Sequence, residues 1–110
     1  MTISIEDFKK IEITVGEILS AEKIQDTDKL LKLSVDFGEE HPRQIISGIA
    51  LYFPDVQVLV NKKCMFVTNL SPRTIKGYES NGMLFAISTH DGKFSLLEPS
   101  RDIPKGARAI

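Results

Sequence analysis

The sequence predicts an all-β fold: a five-stranded barrel with a short helical connector and a C-terminal hairpin extension. Three observations predict it. The 110 residues are 42% hydrophobic and 26% charged, ordinary globular usage for one domain with a real core, so residues 1–110 are read as a single unit. Apolar and polar residues alternate in several short runs, which is the period of strands. The first of these runs changes parity near a glycine, as a strand must if it bends to serve two sides of a closed barrel.

The elements follow in order. Ser4 with Asp7 has the spacing of a helix start, and Ile5 and Phe8 would share a face, so a single helical turn precedes the first strand. Ile11, Ile13 and Val15 alternate with Glu12 and Thr14. Beyond Gly16 the apolar positions become Ile18, Leu19 and Ala21, which predicts a bulge at the glycine. Leu31, Leu33, Val35 and Phe37 form the clearest strand, ended by Gly38. Arg43 to Ile49 is a third, short and apolar. Ile49 to Leu59 fits neither period and reads as a connector with a helical turn or two. Lys63 to Leu70 is a fourth strand, dense in apolar and β-branched residues. Ser71-Pro72-Arg73 reads as a loop, because proline cannot continue a central ladder. Gly82 to Ser88 reads as a buried strand. Asp91-Gly92 turns the chain into Phe94, Leu96 and Leu97, the last hairpin arm, and Pro99 to Ile110 wraps the surface.

Three strands, a connector and two strands is the order of the oligonucleotide/oligosaccharide-binding (OB) barrel. Periodicity alone also admits an SH3-like or other small barrel.

Catalytic chemistry finds little support. His41 and His90 are the only histidines and neither has a Cys or His neighbour at ligand spacing, so no metal and no cofactor are expected. Cys64 stands alone in an apolar strand, which reads as a small core residue in a reducing cytoplasm and excludes a disulfide framework. Phosphate-cradling, dinucleotide and nucleophile-elbow glycine patterns are missing. Asp26 and Asp28 are explained by turn solvation. No apolar run approaches a membrane span, and Glu6, Asp7, Lys9 and Lys10 exclude a signal-peptide centre at the N-terminus. The chain reads as a binding module, not an enzyme.

Its charge is uneven. Net charge is −1, yet residues 61–80 hold Lys62, Lys63, Arg73 and Lys76 against Glu79 alone. Such a segment in an acidic chain is either an anion-binding patch or a solvated surface. The loop from Asn69 to Met83 is the most chemically mixed stretch. Arg73 can fork onto a phosphate, Lys76 can act as a point charge, and Tyr78 or Met83 can lie against a base or ribose. The same residues also fit a structural role, with Asn69 and Ser80 bonding the loop, Met83 in the core and Tyr78 a half-buried cap.

Together these blocks resemble a known family. Asp7-Phe8, Lys10-Ile11, Val15-Gly16, Asp28-Lys29-Leu30, Val35-Asp36-x-Gly38, Arg43 to Ala50 (RQIISGIA), Asn69-Leu70-Ser71-Pro72-Arg73, Gly77 and Ser80-Asn81-Gly82-Met83 follow its order over nearly the whole chain. The chain is similar to the tRNA-binding domain at the C-terminus of bacterial methionyl-tRNA synthetases, which also occurs alone and as a synthetase beta subunit. The resemblance implies an OB barrel, a cytoplasmic homodimer, tRNA as partner, recognised by shape with little sequence preference, and a methionyl-tRNA synthetase catalytic chain as a further partner. By position it implies tRNA contacts at Lys29, Asn69, Arg73, Ser80 and Met83, with Lys76 as an added phosphate contact. Thr14, Ile24-Gln25 and Thr74 stand where the family often has basic residues or His-Pro, so weaker affinity is expected. The CsaA-like export chaperones, which resemble the same fold, supply the alternative of a peptide-binding module.

Overall fold

The computed structural model describes all of residues 1–110. Ser4 caps a one-turn helix, α1 (Ile5–Phe8), its side chain accepting a hydrogen bond from the Asp7 amide at 3.1 Å, and α1 buries none of its residues. A five-stranded antiparallel sheet follows, coiled into a nearly closed OB-like barrel. Its strands are β1 (Ile13–Lys23), β2 (Leu31–Asp36), β3 (Arg43–Ser47), β4 (Lys63–Val67) and a short β7 (Met83–Leu84), in the order β3-β2-β1-β4-β7. Two small hairpins lie outside it: β5 (Arg73–Ile75) with β6 (Tyr78–Ser80), and β8 (Ala86–Ser88) with β9 (Phe94–Leu96). No helix is long and apolar enough to cross a membrane.

The long first strand makes the closure possible. Its N-terminal half pairs with β4, from Ile13 opposite Val67 to Glu17 opposite Lys63; its C-terminal half pairs with β2, from Glu17 opposite Asp36 to Lys23 opposite Leu31. The bulge that lets it turn lies between Ile18 and Ser20, not at Gly16. Leu19 is the extra residue and points outward, while Ile18 and Ala21 stay buried on either side of it. Gly16 has a different duty: a Cβ there would sit 2.5 Å from the Phe37 ring and 2.6 Å from a Val35 methyl.

Inward-facing residues of β2 and β3 meet those of β1 and β4 in the barrel. Ile18, Leu31, Leu33, Val35, Ile45, Leu59, Cys64 and Phe66 have no measurable exposure. Phe37 stands edge-on to Phe66 at 5.2 Å. The connector forms two short 3-10 turns, Ala50–Tyr52 and Val56–Leu59, and the second plugs one end of the barrel with Leu59. Burial pushes the Cys64 thiol up to about 12, with the Glu98 carboxylate adding to the rise, so it stays a neutral core group.

Two elements differ from the sequence reading. The segment from Gly82 to Ser88 is not one buried strand: β7 ends at Leu84, Phe85 bonds across to Met65, and β8 is exposed throughout. Arg73 belongs not to a loop but to strand β5, beginning directly after Pro72.

The C-terminal wrap is strapped to the barrel. Gly106, Ala107 and Ala109 exchange backbone hydrogen bonds with Val15 and Ile13 at 2.8–2.9 Å. Four tail residues also form ion pairs with the barrel: Glu98 with Lys62 (3.3 Å), Asp102 with Lys63 (2.9 Å), Lys105 with Asp36 (2.7 Å) and Arg108 with Glu12 (3.3 Å). The Lys105 ammonium holds the Asp36 carboxyl below its ordinary range, and the Gly38 amide adds to the effect.

Candidate nucleic-acid interface

The β5–β6 hairpin organises the candidate site. Arg73 faces Ser80, Thr74 faces Glu79 and Ile75 faces Tyr78, which leaves Lys76 and Gly77 as a two-residue turn. Both lie in the left-handed region, at φ +51° and +84°, as a type I′ turn requires. Glycine adopts this readily, whereas lysine does so at a cost, and the outcome is a cation at the hairpin tip.

Three of the predicted cations form no ion pair. Of the fourteen Lys and Arg, eight lie within ion-pair distance of an Asp or Glu. Lys62 and Lys63, half of the basic segment, are among them, neutralised by the tail. Lys29, Arg73 and Lys76 are exposed and unpaired. An unpaired exposed cation keeps its full charge for an incoming anion, whereas a paired one must first be released.

Their placement links two adjoining hollows. Lys29 and Lys76 line an open cleft of about 390 Å³ with Thr27, Leu30 and Ile75. Asp26 and Asp28 line the same cleft, so its charge is mixed. Arg73, Ser80 and Met83 line a smaller hollow of about 50 Å³ together with Leu70 and Ile75. Ile75 is common to both. Met83 and Leu70 are each nearly half exposed, so Met83 is not a core residue and offers an apolar wall beside Arg73. Tyr78 is half-buried, with the Lys32 ammonium 5.4 Å from its ring centre.

Asn69 and Ser80 are hydrogen-bonded within the fold. The Asn69 side chain accepts from the Glu12 amide at 2.8 Å and donates to the Lys10 carbonyl at 2.6 Å. Ser80 is buried; its hydroxyl accepts from the Ile46 amide at 3.0 Å and donates to the Gly82 carbonyl at 3.1 Å. Gln44 and Arg43, which the sequence did not single out, work beside them. Gln44 donates through Nε2 to the Glu79 carbonyl at 3.0 Å. Arg43 donates through Nη1 to the carbonyls of Thr68 (2.6 Å) and Asn81 (3.2 Å) while forking onto Glu39. Their sequence signal is that they open the RQIISGIA block, at the head of an apolar strand.

Over residues 13–108 the chain matches the family described as "Putative tRNA binding domain". It is 46% identical over 106 residues to the methionine–tRNA ligase of Caldanaerobacter subterraneus subsp. tengcongensis, covering 96% of this chain and 16% of that ligase. The methionine–tRNA ligases of Enterococcus faecalis and Lactococcus lactis subsp. lactis are matched over the same share, so the chain spans about 16% of the length of these curated relatives. Among solved structures it is similar to a MetRS-related protein from Pyrococcus horikoshii, with a TM-score of 0.91, 42% identity and coverage of 100% and 99% of the two chains. It is also similar to a CsaA chaperone protein from Picrophilus torridus, with a TM-score of 0.86, 27% identity and coverage of 99% and 100%.

Proposed function

Since the chain belongs to the tRNA-binding domain family, we propose that it is a non-catalytic module that holds tRNA by shape and phosphate contacts, in the cytoplasm, in support of methionyl-tRNA synthetase. The observation that carries the reading is the set of unpaired cations Lys29, Arg73 and Lys76 around one hairpin, beside the apolar wall of Leu70 and Met83. Guanidinium and ammonium groups grip phosphates, and the exposed thioether lies against a ribose or base. The rigid barrel holds them at fixed spacing, which favours a folded polynucleotide over a flexible one. Likeness to methionine–tRNA ligases and to a MetRS-related protein supports the synthetase connection.

Titrating tRNA at several salt concentrations tests this. Three to four phosphate contacts per face give a log-log slope of roughly −2 to −4. A flat salt response, or equal affinity for a short single-stranded DNA, counts against it. The same titration run with an unfolded polypeptide as competitor weighs the alternative of a CsaA-like peptide-binding chaperone. That alternative draws on an open cleft of about 350 Å³ lined by Tyr52, Phe53, Phe94 and Leu96 together with Lys62, Ser95 and Glu98, and it expects the polypeptide to displace tRNA or to bind where tRNA does not.

We further propose that the chain works as a homodimer, so that two weak faces act with avidity. The exposed Ile5 and Phe8 of α1, which pack on nothing in the chain's own core, supply apolar surface for it, as do the terminal hairpin and tail. Sedimentation at micromolar concentration is expected to give twice the chain mass; a single chain mass removes the avidity argument.

A further inference from the structure

We infer that Asn69, Gln44 and Ser80 are positioning residues, which clamp the cationic hairpin at its two ends instead of touching the nucleic acid. The inference rests on the tRNA-binding reading above, because the hairpin is what they hold in place for it.

At the entry end, Asn69 stands just ahead of Leu70-Ser71-Pro72, the short lead into Arg73. Its amide offers an acceptor and a donor side by side, and both are taken by backbone of the α1–β1 junction, the Glu12 N–H and the Lys10 carbonyl. Each polar end is thereby tied to the α1–β1 junction, so the side chain fixes the backbone that leads into Arg73.

At the exit end, the barrel is closed by side chains where a regular ladder is missing. The Ser80 hydroxyl takes the place of a strand carbonyl for the Ile46 amide and spends its single proton on the Gly82 carbonyl. Gln44 grips the residues on either side: its side chain donates to the Glu79 carbonyl, and its backbone carbonyl accepts from the Asn81 amide at 2.9 Å. Residues 79 to 81 are therefore held by two residues of β3. Arg73 is the ladder partner of Ser80, so a shift of Ser80 moves Arg73 directly. Ser80 lines the hollow beside Arg73, but it is buried and its only proton is committed to the Gly82 carbonyl.

Positioning and contact differ in a double-mutant cycle. Asn69→Ala, Gln44→Ala and Ser80→Ala are each expected to weaken tRNA binding about threefold to tenfold, the range of one hydrogen bond's net worth. In an Arg73→Ala/Lys76→Ala background, with the hairpin's two cations gone, each is expected to change affinity less than about twofold. Equal losses in both backgrounds would show direct contact and overturn the inference, as would no loss in the parent. Asn69 and Gln44 are less buried than Ser80, so they carry the test if Ser80→Ala fails to fold. Should the cation variant itself bind tRNA as the parent does, the binding face proposed above fails and this inference with it. A measurement without RNA separates the two: hydrogen exchange in Asn69→Ala and Gln44→Ala is expected to rise within residues 73–81 and stay unchanged in β1 and β2. Unchanged exchange in the hairpin overturns the clamp even if the module binds tRNA.

Discussion

Gly16→Val is expected to lower the melting temperature by about 15 °C, the largest stability loss predicted for a single substitution in this chain. The built Cβ would lie 2.5 Å from the Phe37 ring and 2.6 Å from Val35, well inside van der Waals contact, before the two extra methyls are added. Neither neighbour can yield. Val35 has no exposure, and the Phe37 ring is held edge-on against Phe66 with the Arg43 guanidinium 5.4 Å from its centre. The strand itself cannot back away, since Gly16 pairs with Cys64 in β4 and its neighbour Val15 is bonded to the tail on the other edge. Overpacking typically costs about 1–3 kcal/mol, and a site closed on every side belongs at the upper end. In a domain of this size each kcal/mol moves the midpoint by about 4–8 °C. Thermal unfolding followed by circular dichroism checks it, and a midpoint within a few degrees of the parent would mean that β1 can part from β2. A matched Leu19→Val change at the outward-facing bulge should cost far less.

That contrast also marks where sequence reasoning reached its limit. The parity change in β1 is legible because burial enforces alternation: Ile18 must point in, and so must Ala21, three residues on. The location of the slip is not legible, because a glycine and an exposed leucine are both acceptable bulge residues, and only the partner strand decides between them. The clean alternation of Leu31, Leu33 and Val35 identified β2 for the same reason it folds, as half of its residues face a core without exposure. The β5–β6 hairpin was hidden by its brevity. Three-residue strands carry no usable period, and a Lys-Gly turn lacks the Asn-Gly signature, since lysine tolerates a positive φ only under tertiary constraint.

Long-range electrostatics were hidden in another way. Counting charge along residues 61–80 gave four cations as one patch, but Lys62 and Lys63 pair with carboxylates 36 and 39 positions away. The strap that supplies those carboxylates narrows the basic segment to its hairpin half. Asn69 and Ser80 pose the subtler case. Their side chains are polar and flank the cations in sequence, the usual profile of contact residues. Yet each has a backbone group as donor and another as acceptor, the observation behind the positioning role proposed for them.

Arg73→Ala/Lys76→Ala is expected to reduce tRNA affinity on the order of 100-fold near 0.1 M salt, and to flatten the log-log salt slope by about 2, one for each phosphate contact removed. Stability should hardly change. Both side chains are exposed, neither is ion-paired, and alanine at position 76 keeps the turn only slightly less comfortable than lysine does. Net charge falls from −1 to −3, so a general field effect must be separated from a local one. Lys93→Ala/Arg101→Ala supplies the control: it removes the same charge from the terminal hairpin and the tail. If binding follows the field of the whole molecule, the two double variants lose affinity alike. If it follows contact, the control loses little and keeps its slope. At 0.5 M salt the parent and the hairpin variant should converge, because released counterions no longer favour the complex and the remaining contacts to ribose and base are shared by both. A gap that persists at high salt would instead assign Arg73 a directional role, two parallel hydrogen bonds to one phosphate, which screening weakens far less than a point charge. The salt axis thus distinguishes a cation that attracts from a guanidinium that orients.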